Sequence, residues 1–377
     1  MAAPGEPAAG TELVHREIVQ LVVLIVVAVA AFLLTSAVAA SNRQTNLRDA
    51  AVWYATGEAR VVAGDLDGAI TAFRHASSKS PEERRYALAL AQAQAGRKLY
   101  DDARKVLLSL RESSPEDAEI NLQLARLSAE RQDVTEAIRY YHNALYSPWS
   151  STQVDERRRV RLELARFLTA HGQVDGAVSE LLASSVDMPE TAAAHVELAR
   201  LFAQAGTTRR AADQFAAALR LEPGNGEALA GAGQTAFQLS DYSLAGQYLR
   251  RAPATATTTP LLNISDLVVS ADPLANRLPA AERQRRLLAA FRHAGQRLDA
   301  CVGERAPADA DLVALQHDAA TFVRRLRPPF IRESETIEAG TELVCRITRV
   351  VSQRCAPATA SDRAWDLIAR LHGVDTR

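Results

Sequence analysis

A 34-residue period constrains this chain more than any other feature. Ala69 returns as Ala103 and Ala137, and after six extra residues the count resumes at Ala177, Ala211 and Ala245. Four residues beyond each alanine stands a large apolar or aromatic side chain: Phe73, Leu107, Tyr141, Leu181, Phe215 and Leu249. Twelve beyond, in four of the units, stands Pro81, Pro115, Pro189 or Pro223. A fixed period of this length is the mark of a repeat architecture. Each unit reads as two amphipathic helices with an i, i+3, i+4 apolar stripe. The small residue belongs where the two helices cross, the large one a turn further along the same face. Proline disfavours helical geometry in the residue before it and so ends the second helix. One such unit cannot bury its own apolar face, and stability therefore requires a stack.

Trp53, Gly57, Gly64, Ala69, Phe73, Ala76 and Pro81 stand at the spacing of the tetratricopeptide repeat, so residues 50–257 resemble six tandem repeats of that family. The units are 50–83, 84–117, 118–151, 158–191, 192–225 and 226–257. The resemblance implies an all-α fold, a right-handed α-α superhelix, with a groove used for partner proteins. In the last unit Gly231, Gly233 and Gly246 are expected to weaken the helices, by up to about 1 kcal/mol each relative to alanine.

The second strong signal is Ile18–Ala40, an uncharged run interrupted only by Gln20, Thr35 and Ser36. As a helix it spans about 35 Å, enough to cross a bilayer core with some tilt. A cleaved secretory signal is the competing reading, since Ala37-Val38-Ala39 fits a cleavage site. The length of the run and the single Arg16 before it favour an uncleaved anchor. Residues 1–17 then form a disordered tail and 41–49 a short polar connector. Orientation is finely balanced. Arg43 and Arg48 after the span against Arg16 before it favour a cytoplasmic body by one charge. The length of the following domain, and a candidate Cys345–Cys355 disulfide that needs an oxidising compartment, favour a periplasmic one. The reading adopted is a single-pass inner-membrane protein with a periplasmic body, similar to anchored bacterial repeat proteins.

Before the fourth unit, Ser147–Thr152 breaks the helical pattern and presents Trp149 as a candidate surface contact. The alternative is a long loop followed by an extended helix start. Residues 258–377 leave the period and read as a small helical region. Leu261–Val269 fits a cap on the last repeat. Ala280–Cys301 and Ala308–Leu326 are amphipathic helices, the second stopped by Pro328-Pro329, and Trp365–Leu371 is a short one. Thr341–Val351 alternates like a strand but also fits a helix, which is the expectation taken.

No phosphate loop, dinucleotide fingerprint or nucleophile elbow occurs, and the three cysteines lack zinc-ligand spacing. The expectation is a non-enzyme without cofactor or metal. A formal net charge of −1 gives no reason to expect nucleic acid as a partner. His195 occupies the slot of Trp53 and reads as packing, whereas His75 and His142 read as solvated.

The candidate binding residues are those at position nine of each first helix, which by the resemblance faces the groove. The column is Glu58, Gln92, Arg126, Arg166, Arg200 and Gln234. Three successive arginines would form a basic stripe suited to acidic segments or peptide C-termini, because the planar guanidinium matches a carboxylate. The alternative is that Glu163 pairs with Arg166 and Glu197 with Arg200 at i, i+3, leaving a neutral solvated face. Tyr54 and Glu58 stand where relatives that clamp a C-terminal carboxylate use other residues, so that mode is not carried over. The expected function is a membrane-anchored scaffold or adaptor that stabilises a multi-protein membrane complex. The alternative is an envelope-biogenesis assembly factor or chaperone that holds clients transiently.

Overall fold

The computed structural model describes residues 9–305, 309–326, 334–355 and 357–374, and all elements among them are helical. The chain divides into two compact units, one ending at Arg161 and the other beginning at Leu162.

Unit one opens with α1 (Ala9–Val62), a single helix of 54 residues. It is followed by α2 (Leu66–Lys79), α3 (Arg84–Gly96), α4 (Tyr100–Ser113), α5 (Ala118–Glu130) and α6 (Val134–Tyr146). The expected tail lies outside the described residues over 1–8, and from Ala9 onward it is helical. The polar connector 41–49 is helical too, so the apolar run and the first helix of repeat one are one element. Nothing in Ser41–Asp49 breaks a helix: it holds neither proline nor glycine. By length and composition α1 can cross a membrane, and its most apolar window has no buried residue.

A short 3₁₀ turn (Ser151–Gln153) precedes α7 (Val154–Ala170), within which the unit boundary falls. Unit two continues with α8 (Val174–Val186), α9 (Ala192–Gln204), α10 (Thr208–Leu221), α11 (Gly226–Gln238) and α12 (Tyr242–Leu249). The C-terminal helices are α13 (Thr258–Ala271), α14 (Ala280–Arg305), α15 (Ala310–Arg325), α16 (Ser334–Arg354) and α17 (Ala360–His372).

The alanines of the period are the tightest points of both units, all six at 0% exposure. Their large companions at +4 are buried as well. Where the opposing helix would crowd them, glycine appears. Gly57 faces the ring of Phe73, and a Cβ on Gly233 would stand 2.6 Å from Leu249 Cγ. Gly231 makes the same allowance for Phe215. Two of the three glycines expected to weaken the last repeat are therefore required by close packing, which offsets their intrinsic cost.

One turn recurs throughout. Residues Gly64, Lys98, Gln132, Gly172, Gly206 and Ser240, each between the two helices of a pair, all have positive φ of 61–77°. At each, its N–H reaches back to the carbonyl three residues earlier, and the next N–H reaches five back. This left-handed C-terminal closure satisfies carbonyls the helix leaves open. The following helix starts at once, capped in three units by Asp65, Asp133 and Asp241 accepting from the N–H groups of Gly68, Glu136 and Leu244. Each cap is worth about 1 kcal/mol.

The C-terminal helices share one core with the end of the array, in which Tyr242 and Val268 meet Leu287, Leu298, Ile347 and Trp365. Thr341–Val351 belongs to helix α16. Residues 337, 344, 345, 348 and 351 are buried, a helical spacing that the apparent alternation of Leu343, Cys345 and Ile347 had obscured. The Pro328-Pro329 stop lies outside the described residues. The expected Cys345–Cys355 pairing is not formed. Cys355 pairs with Cys301 at the end of α14, their Cα atoms 5.6 Å apart. Cys345 lies in α16 ten residues before Cys355, which directly follows that helix, so the two are about 15 Å apart by helical rise, and such a span cannot be bridged. It is buried, donates to the carbonyl of Trp365, and burial pushes its thiol up to about 12.

Candidate partner-binding face

The position-nine residues all fall on first helices: Glu58 on α1, Gln92 on α3, Arg126 on α5, Arg166 on α7, Arg200 on α9 and Gln234 on α11. Their backbone neighbours at position eight are buried against the second helices (Ala91, Ala125, Ala165 and Ala199), which turns position nine outward. Five of the six are exposed, and Gln234 is half-buried.

Arg126 lies in unit one, and Arg166 and Arg200 in unit two. The arginines brought onto neighbouring first helices of one unit are thus Arg166 and Arg200. Arg166 donates to Glu197 on α9, and Arg200 Nη1 donates to Glu227 Oε1 on α11 at 2.9 Å. Glu197 therefore serves the preceding repeat rather than Arg200 on its own helix, and charge runs along the array in alternating sign. Arg126 is not free either. The unit-two pairs are about half exposed on both sides. Such pairs are worth about 0–1 kcal/mol, so a partner carboxylate can displace Glu197 or Glu227 at little cost.

Unit one carries a feature that the position-nine column misses. The Arg85 guanidinium lies 5.6 Å from the Tyr54 ring centroid and 5.0 Å from that of Tyr86. It also donates to the Tyr86 hydroxyl at 3.1 Å. The two rings are 5.1 Å apart, and Tyr86 is buried. Cation–π contact and a hydrogen bond fix an otherwise mobile side chain at the surface. The Tyr54 hydroxyl, held by burial and by Glu58, is shifted upward from its ordinary pKa. Tyr54 and Tyr86 stand at different positions of their repeats, so the 34-residue period gives no hint of this cluster.

Trp149 does not stand free. It is half-buried, and its indole N–H donates to the Ala144 carbonyl at 2.9 Å, closing the end of α6. His195 is buried with Nδ1 at 2.8 Å from Gln214 Oε1, and exposed His75 stacks on Trp53. Among the described residues, no group of three or more His, Cys, Asp or Glu is placed to hold a metal ion.

Two family models, both described as tetratricopeptide repeat, match residues 61–127 and 196–258. No curated protein matches the sequence. Among solved structures, PilW, a type IV pilus biogenesis factor, is 20% identical with a TM-score of 0.40, over 54% of this chain and 91% of that one. MamA is 19% identical with a TM-score of 0.37, over 46% and 92%. The C-terminal part of a repeat-containing protein from Cytophaga hutchinsonii is 12% identical with a TM-score of 0.43, over 83% and 98%. The periodic alanines and their large companions run through both matched segments, so residues 61–127 and 196–258 are tetratricopeptide repeats.

Proposed function

We propose that this protein is a membrane-anchored adaptor whose repeats hold a partner protein and so stabilise a membrane-associated complex. The observation that carries the reading is α1. One uninterrupted helix is at once a candidate membrane span and the first helix of the repeat array, so whatever the repeats bind is held at a fixed place beside the bilayer. The first-helix face offers the recognition groups. Arg166 and Arg200, in exposed and exchangeable ion pairs, suit an acidic segment or a peptide C-terminus. Arg85, oriented by two tyrosines, offers a third guanidinium in unit one.

The Cys301–Cys355 disulfide supports a periplasmic body, because such bonds persist in oxidising compartments. A single-pass inner-membrane protein with its N-terminus in the cytoplasm fits this arrangement.

The test is the native mass of the detergent-solubilised protein, with mass spectrometry of its companions. A defined particle of fixed stoichiometry supports the adaptor. A monomer or bare homo-oligomer, with clients bound substoichiometrically, replaces it with the transient chaperone.

A further inference from the structure

The two edges of unit one lie at different distances from the apolar run of α1. Arg43 is three residues beyond Ala40, about 5 Å along the helix axis, and Asp49 about 14 Å. Arg43 pairs with Glu82 at 3.6 Å, and Asp49 with Lys79 at 3.7 Å. The α2–α3 connection is thereby held beside the end of the run. The register continues antiparallel, with Ala50 packed in one cluster with Ala76, and Trp53 stacked on His75. Gly64 and the α1–α2 turn lie about 36 Å from Ala40 by the same helical rise.

Later helices keep this polarity. Arg84, at the start of α3, pairs with Asp117, the cap of α5, so the α4–α5 connection shares the near edge. On the far edge Arg97 pairs with Asp67, and Arg131 with Asp101, both 30 residues apart. A bilayer's polar layer is about 5–8 Å thick on each side. The Arg43–Glu82 pair therefore falls within or directly above it.

We infer that the near edge of unit one, built from the α2–α3 and α4–α5 connections, rests on the phospholipid headgroups of the bilayer that α1 crosses. The inference depends on the anchor reading above and adds an orientation to it. The helices of unit one stand along the membrane normal, and the first-helix face looks sideways, parallel to the membrane plane. The edge suits this place chemically. Arg43, Glu82, Glu83 and Arg84 bring both signs to this edge, and all are at least partly exposed. A surface of both signs matches zwitterionic headgroups and needs no anionic lipid. A partner reaching the first-helix face is therefore one that itself projects from, or lies along, the same membrane surface.

The experiment uses the full chain in phosphatidylcholine nanodiscs under non-reducing conditions. With Cys345 buried and the other cysteines paired, an introduced thiol takes the fluorophore. Ser78→Cys and Glu116→Cys report on the near edge, Lys98→Cys on the far edge and Val29→Cys on the span. All four positions are exposed. The expected result is strong quenching of the Val29 label by acyl-chain quenchers. Headgroup-attached quenchers should act on the Ser78 and Glu116 labels several-fold more than on the Lys98 label. If Val29 is quenched while Ser78 and Glu116 behave like Lys98, the edge contact is wrong and the anchor stands. If Val29 is not quenched, the anchor fails and takes the edge contact with it.

Discussion

The pair formed by Gly57 and Phe73 gives the sharpest test of the packing rule behind the array. Phe73 is 3% exposed, and a Cβ built on Gly57 would enter its ring, with the third-nearest ring atom still at 2.9 Å. Ordinary carbon contacts lie at about 3.5–4.0 Å, so the ring must move by about 1 Å in a site with no spare room. Overpacking of this kind costs about 1–3 kcal/mol, against a helix-propensity gain of about 0.8–1 kcal/mol for Gly→Ala. Gly57→Ala alone should destabilise by about 0–2 kcal/mol. Phe73→Leu alone leaves a void beside the glycine, and its cost should fall below the roughly 3–5 kcal/mol of a Phe→Ala change. Together the two substitutions copy the Ala91/Leu107 pair of the next repeat, both members of which are buried. The double variant should recover to within about 1 kcal/mol of wild type, a coupling of more than about 1 kcal/mol. Denaturant unfolding of the full chain in detergent, followed by circular dichroism, measures the cycle. Strict additivity of the two single changes would refute the argument that the glycine exists for the ring.

Other outcomes follow from single sites. Lys98 and Gln132 adopt the left-handed conformation that Gly64, Gly172 and Gly206 occupy at the same place. That conformation costs a non-glycine residue about 1–2 kcal/mol, so Gln132→Gly should be neutral or stabilising, whereas Gly206→Val should destabilise; midpoints that move the opposite way would exclude the shared turn. Arg166→Ala and Arg200→Ala should each change stability by less than about 1 kcal/mol while weakening partner binding at low salt. Unchanged binding would remove these arginines from the recognition face. Native protein should not react with iodoacetamide at pH 8, since Cys345 is buried and pushed up to about 12. One thiol should appear on unfolding and two more on reduction. Hydrogen bonds from Arg285 and Arg286 hold Glu282 down to about 2 from an ordinary 4.5. Its folded value is the lower one, so its contribution is present above pH 4.5 and lost as pH falls towards 2; Glu282→Gln should flatten the acid limb of the stability curve.

The sequence by itself determined the repeat, and with it the helix pairs, because a small residue at each crossing and a large one four places on express a local requirement that recurs unchanged. It determined the apolar run as well, since length and the absence of charge are properties of the chain alone. The left-handed turn was half legible: glycine marks it three times, while Lys98, Gln132 and Ser240 adopt it without a signature. Tertiary structure decided the rest. Glu197 faces Arg166 and Arg200 itself, and only the spacing of stacked helices settles which guanidinium it serves. Cys355 has two cysteines to choose from, and helical rise carries the nearer in sequence out of reach while the packing of α14 against α16 brings the farther one close. Composition reads residues 41–49 as a connector, yet the segment continues the helix, because no residue within it breaks one, and it meets repeat one at Arg43–Glu82 and Asp49–Lys79. Long charged side chains and thiols find partners through space, at sequence separations that a periodic pattern does not encode.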